Sequence, residues 1–166
     1  MAPGSLAWWL GKIRQARRHV FASVQARERD SLLPWLTPAQ LAVFDAMHVA
    51  DRRHGLDVVT SLRGAGDHDP DVLVAGLLHD AGKGRTGLLP RVVYALGQAY
   101  GRWIEGPFRR VGMAASLDRL AAHAETSARM AEAAGCSSRT VELIRWQDEP
   151  KDPDAGERLR LADEAN

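Results

Sequence analysis

Three observations predict an all-α fold for this chain. Helix start signals recur, with proline directly after a capping side chain at Thr37-Pro38 and at Asp69-Pro70. Apolar residues return at three- and four-residue intervals through most of the sequence. No stretch reads convincingly as a strand, and no internal repeat is present. The 166 residues suffice for one domain with a proper core, and 45% hydrophobic with 26% charged residues is an ordinary globular composition.

Residues 5–30 read as an amphipathic helix, with Leu6, Trp9, Leu10, Ile13, Val20, Phe21 and Val24 at helical spacing. Lys12, Arg14, Arg17 and Arg18 lie mostly elsewhere on it. Such a basic helix packs on its own domain, lies on a membrane surface or docks on a partner, and adjacent Trp8 and Trp9 keep the last two readings open. It is also the natural contact for a homodimer. Residues 1–36 therefore form an N-terminal helix and linker, and 37–166 the main domain.

Residues 37–63 read as a second helix, opened by a capping box at Thr37-Pro38-Ala39-Gln40. Its inward stripe is Leu41, Phe44, Met47, Asp51, His54, Val58 and Leu62. Two polar residues thus interrupt an apolar face. His54 is either a hydrogen-bonded core residue or a metal ligand, and Asp51 is a candidate partner for its ring. A turn follows at Gly64-Ala65-Gly66-Asp67-His68, with His68 exposed.

The central helix spans 70–81. Asp69 is its N-cap, Pro70 its first residue, and Asp71 suits the positive helix end. From Val72 to Leu78 it is apolar on every side, which marks a buried helix. It ends on His79 and Asp80, and buried ionisable groups are costly unless paired or bound to a metal. A glycine-rich basic loop follows, Gly82-Lys83-Gly84-Arg85-Thr86-Gly87, where backbone amides and Lys83 can meet an anion. Its spacing is not that of a P-loop, and no strand precedes it.

Residues 89–112 are less regular, because Gly97, Gly101, Gly106 and Pro107 weaken a helix suggested by Val92, Val93, Leu96 and Tyr100. Trp103, Phe108, Arg109 and Arg110 form either a lid or a peripheral packing segment. A strong helix spans 114–134 and ends at Gly135; His123 lies within it. Ser137 or Ser138 caps a short helix that breaks at Trp146-Gln147-Asp148-Glu149-Pro150, and Asp152-Pro153 opens the last helix, which carries Asp163.

A histidine, a His-Asp pair on a buried helix, a later histidine and a final aspartate make an ordered set. In this the chain resembles the HD-domain superfamily of metal-dependent phosphohydrolases, over about Thr37 to Asn166. His54 matches the first histidine, His79-Asp80-Ala81-Gly82-Lys83 the His-Asp-x-Gly-Lys motif, and Asp163 the terminal aspartate. The resemblance implies a bundle of about six to seven helices plus the extra N-terminal one. It implies a metal held by His54, His79, Asp80 and Asp163. His123 resembles the extra histidine of members with a longer metal site. A further histidine usual in two-metal members is absent from Ile144-Arg145-Trp146-Gln147-Asp148-Glu149, so one metal per chain is expected. His123 and Asp148 are candidates for a second metal or a phosphate contact, and Gln147 is another oxygen donor there.

Two imidazoles and two carboxylates suit Mn, Fe, Co, Ni or Zn, with Mg a further candidate. The expected reaction is hydrolysis of a phosphate mono- or diester of a nucleotide or similar small molecule. Asp80 and Lys83 are the catalytic candidates, and Lys83 and Arg85 contact substrate phosphate. A non-catalytic metal- or nucleotide-binding module is the alternative, and a di-iron oxidoreductase a third reading.

The net charge of +1 gives no general argument for nucleic acid. Residues 81–112 carry six Lys/Arg against one acid, and 142–166 eight acids against four bases. A basic patch beside an acidic metal site suits a phosphorylated substrate, and solvated faces explain the same pattern. One cysteine, Cys136, excludes an internal disulfide and a cysteine-based zinc site, and is read as structural. No uncharged run approaches the ~20 residues of a membrane span, and no signal peptide opens the chain. A cytoplasmic protein is the expectation.

Overall fold

The structure, a computed structural model, describes residues 22–166. Among them every regular element is helical. The α-helices are α1 (Ala26–Asp30), α2 (Pro38–Ala46), α3 (Val49–Gly64), α4 (Pro70–Leu78), α5 (Leu88–Tyr100), α6 (Glu105–Phe108), α7 (Ala114–Ala121), α8 (His123–Ala133), α9 (Ser138–Arg145) and α10 (Ala155–Glu164). Short 3₁₀ turns lie at Ala81–Lys83 and Arg102–Ile104, and a wide turn with non-helical Val111 and Gly112 joins α6 to α7.

α4 is the hub. Asp69 Oδ1 accepts from the Asp71 amide at 3.0 Å, and Pro70 takes the first turn. Every residue from Val72 to Asp80 is buried. α4 packs against α2, α3, α9 and α10, so its apolar surface is covered on all sides. Leu77, Leu78, Phe44, Val58, Ile144 and Leu159 are among the core residues around it.

Several sequence expectations change. The 5–30 helix is not continuous: residues 22–25 are non-helical, Gln25 is extended, and only Ala26–Asp30 forms a helical turn. Its remainder, residues 1–21, lies outside the described residues. The 37–63 helix is two. Met47 and His48 are extended, and His48 Nδ1 accepts from the Ala50 amide at 3.2 Å, capping α3 afresh. The Thr37–Gln40 capping box forms as expected, at 3.2 and 3.0 Å. The 114–134 helix also divides, at Ala122, which places His123 at the start of α8. The central helix ends at Leu78, three residues short of the expected 81, and a 3₁₀ turn continues it.

Two glycines set the close approach of the site-bearing segments. A methyl group on Gly55 of α3 would lie 2.5 Å from the Leu77 carbonyl oxygen of α4. A methyl group on Gly82 would meet the backbone of α8 at His123 and, at 2.8 Å, at Ser127. The Gly82 amide instead donates to Ser127 Oγ at 2.8 Å, which ties the 3₁₀ turn to α8.

α10 is fixed across the bundle by Leu159 in the core and by two polar ties. Arg158 donates to the buried Asp67 carboxylate at 2.8 Å, and Asn166 donates to Ser61 Oγ of α3 at 2.8 Å. These contacts carry Asp163 to α3, far away in sequence.

Candidate metal centre

His79 follows the last residue of α4 and is 2% exposed. Its Nδ1 lies 2.9 Å from the Gly76 carbonyl, which can only accept, so Nδ1 carries a proton. That fixes the ring and turns Nε2 toward the carboxylates. Nε2 is 3.3 Å from Asp163 Oδ1 and 3.5 Å from Asp80 Oδ1. His54, on the stripe of α3 that faces inward, brings its Nε2 to 2.6 Å from Asp163 Oδ1.

One ligand atom from each of His54, His79 and Asp163 lies within 4.8 Å of the others, a group that could hold a metal ion. Two buried atoms there have no hydrogen-bond partner: His79 Nε2 and Asp80 Oδ1. An unsatisfied buried polar atom costs roughly 1–3 kcal/mol. A cation relieves both at once, so the residues present fit a divalent ion. Two imidazoles with carboxylates favour a transition metal over calcium.

Asp80 lies beside this group of three. Its Oδ2 is 4.0 Å from His54 Nε2 and accepts from Lys83 Nζ at 2.6 Å. Burial opposes its charge, but His79 and Lys83 hold its carboxyl well below the usual range. Burial likewise opposes the charge on Lys83, and Asp80 outweighs it and holds the ammonium above its ordinary value.

Comparison with protein-family models, with curated proteins and with solved structures finds no match.

His123 adjoins Asp80, with Nε2 at 3.8 Å from Oδ1. Its Nδ1 donates to the Leu120 carbonyl at 2.6 Å, and its Nε2 accepts from Gln147 Nε2 at 2.8 Å. Both ring nitrogens are thus engaged, and burial pushes its pKa down, toward the neutral ring. Of the neighbouring candidates Gln147 is the one turned inward; Asp148 is exposed. Gln147 Oε1 is itself buried and unpartnered.

Asp51 is not the partner of His54. Both of its oxygens accept from the Arg91 guanidinium, at 2.6 and 2.7 Å, because the planar fork of arginine matches a carboxylate edge. Arg91 also donates to the Thr86 carbonyl at 3.1 Å, so it clamps the glycine-rich loop to α3. Arg85 in that loop is exposed. In the 89–112 segment, Arg109 pairs with Glu105 and Asp118. Its bonds run within the segment and to α7, as a peripheral packing segment would make them.

Arg91, Ser127, Gly55 and Gly82 shape the site in roles that spacing did not show, and Gln147, read as an oxygen donor, instead donates to His123. The one available hint was Gly82 inside the His-Asp-x-Gly-Lys stretch.

The charges give the metal-free centre a defined pH response. Burial opposes protonation of His79, but Asp80 and Asp163 win and raise its pKa to about 9 from 6.5. This contribution to stability is complete below pH 6.5 and is lost as pH rises through about 9. The lowered carboxyls of Asp80 and Asp163 act oppositely, stabilising above their ordinary 3.8 and losing that effect in acid. Thermal melts of chelator-treated protein should therefore peak between these limits and fall toward pH 9 and beyond. Metal-loaded protein should lack the alkaline fall, because the ion replaces the His79 proton.

Proposed function

We propose that this chain is a metal-dependent phosphohydrolase of the HD-domain type. It acts on a phosphate mono- or diester of a nucleotide or similar small molecule. The observation that carries the reading is the meeting of His54, His79 and Asp163 from three distant segments, with the buried Asp80 and its half-buried partner Lys83 at the edge.

His54, His79 and Asp163 would hold one divalent ion, with Asp80 as a fourth ligand or a neighbour of the attacking water. The ion would polarise a phosphoryl oxygen and lower the pKa of water, the two contributions hydrolysis needs. Asp80, whose Oδ1 is buried and has no hydrogen-bond partner, would orient that water. The water oxygen would bond to phosphorus as the ester P–O bond breaks, and the proton that the water gives up would pass to the leaving oxygen. Lys83 and the exposed Arg85 offset charge on the phosphate oxygens.

The Gln147–His123 bond supports a single metal and speaks against a di-iron oxidoreductase, which needs a fuller ligand set. The non-catalytic module draws support from one observation: the Lys83 ammonium is already engaged by Asp80. Metal analysis with a phosphoester screen separates these readings. About one transition metal per chain and turnover that is abolished in Asp80→Ala is the expected result. Metal without turnover would favour the binding module, and full activity in Asp80→Ala would remove the catalytic assignment.

A further inference from the structure

The strongest feature outside the metal centre is an apolar surface along α5 and the turns after it. Leu89, Val92 and Tyr100 fall on one stripe of α5, beside the buried stripe that carries Val93 and Gly97. All three are exposed, Leu89 to 53%. Trp103, three residues after Tyr100, continues the surface at 76% exposure.

Trp103 is exposed but held. Its indole Nε1 donates to the Tyr100 carbonyl at 3.1 Å. Gly101 lies under the ring with φ +113, where an added Cβ would come within 2.9 Å of it. A large aromatic side chain fixed in water-facing position is a poor use of apolar surface unless something covers it.

The charge around the surface says what kind of cover fits. Residues 81–112 contain six Lys/Arg and one acid. That acid, Glu105, is 2% exposed and is bound by Arg109 at 3.1 Å, with Arg102 at 3.7 Å. A nearby acid on α7, Asp118, is also taken by Arg109. Arg102, next to Trp103, and Arg110 remain exposed. The outward charge is thus positive, beside aliphatic and aromatic side chains.

We propose that this face docks on an anionic lipid bilayer, lying in its interface. Leucine and valine enter the acyl boundary, tryptophan and tyrosine sit at headgroup level, and arginines meet lipid phosphates. Among the described residues no helix is long and apolar enough to cross a membrane, so the contact is peripheral. The aliphatic share of the stripe offers nothing for base stacking, which disfavours single-stranded nucleic acid.

Flotation of the full chain with phosphatidylcholine vesicles, with and without phosphatidylserine, tests this. The expected result is binding to the anionic vesicles alone, lost at high salt. It should drop about tenfold or more in Arg102→Glu/Arg110→Glu and in Trp103→Ser. Arg129→Glu, on α8, should bind as the parent does; melting curves verify that each variant is folded. No binding overturns the proposal. Binding unchanged in both surface variants also overturns it and moves the contact to residues 1–21. A dimer dissociated by Trp103→Ser, without vesicle binding, makes the face a contact between two copies instead.

Discussion

Asp163→Ala is expected to strip the chain of bound metal. Asp163 is the group that both imidazoles approach, at 2.6 Å from His54 and 3.3 Å from His79. Partners that merely orient a ligand are worth ~10–100-fold in metal affinity, so losing a direct carboxylate ligand should exceed ~100-fold. Asp163 lies near the end of α10, and its side chain is 40% exposed. The fold should therefore survive, which separates metal loss from unfolding. The metal-free variant should also respond differently to pH. With one of its two carboxylate neighbours gone, His79 should give up its proton at lower pH than in the parent. Titration with the metal followed by elemental analysis, and the melting profile against pH, are the two measurements. A variant that holds metal as tightly as the parent would show that the ion sits elsewhere.

Gly55→Ala should both destabilise the chain and weaken metal binding. The added methyl group meets the Leu77 carbonyl oxygen at 2.5 Å, which is backbone and has no rotamer to escape into. Overpacking of this kind costs roughly 1–3 kcal/mol, and each kcal/mol moves the melting temperature by about 2–4 °C in a chain of this size. Gly55 adjoins His54, and Leu77 precedes His79 by two residues, so relief by moving α3 from α4 separates the two imidazoles. Gly64→Ala is the matched control. It sits in the same helix with nothing within 4 Å of the new methyl group. Gly64→Ala should be neutral or stabilising by up to about 1 kcal/mol, since alanine restricts the unfolded chain more than glycine does. Equal melting temperatures for the two variants would refute the close-approach argument.

Local chemistry was legible in the sequence wherever a residue acts on its near neighbours. The capping box at Thr37–Gln40, the Asp69 cap and the Gly135 helix end needed only spacing, and all three are found. The burial of Val72–Leu78 followed from the absence of any polar face over that stretch. The ordered histidines and aspartates also singled out His54, His79 and Asp163, which the bundle brings together.

The breaks and the cross-links were not legible. At Met47-His48 and at Ala122 the apolar period runs on while the backbone turns, so periodicity alone joins two helices into one. Asp51 looked suited to His54, three residues away on the same helix, yet Arg91 from α5 takes both its oxygens. Gln147 engages His123 across 24 residues, and Asp148 beside it faces out.

The sequence by itself determined that the chain is helical, where its central helix begins and which ionisable groups that helix buries. Capping, periodicity and desolvation act within a few residues, and these features depend on nothing more. Only the tertiary structure decided which charges pair and how closely the segments carrying His54 and His79 approach. A guanidinium fork takes whichever carboxylate edge packing presents, and a glycine matters only where another backbone arrives against it.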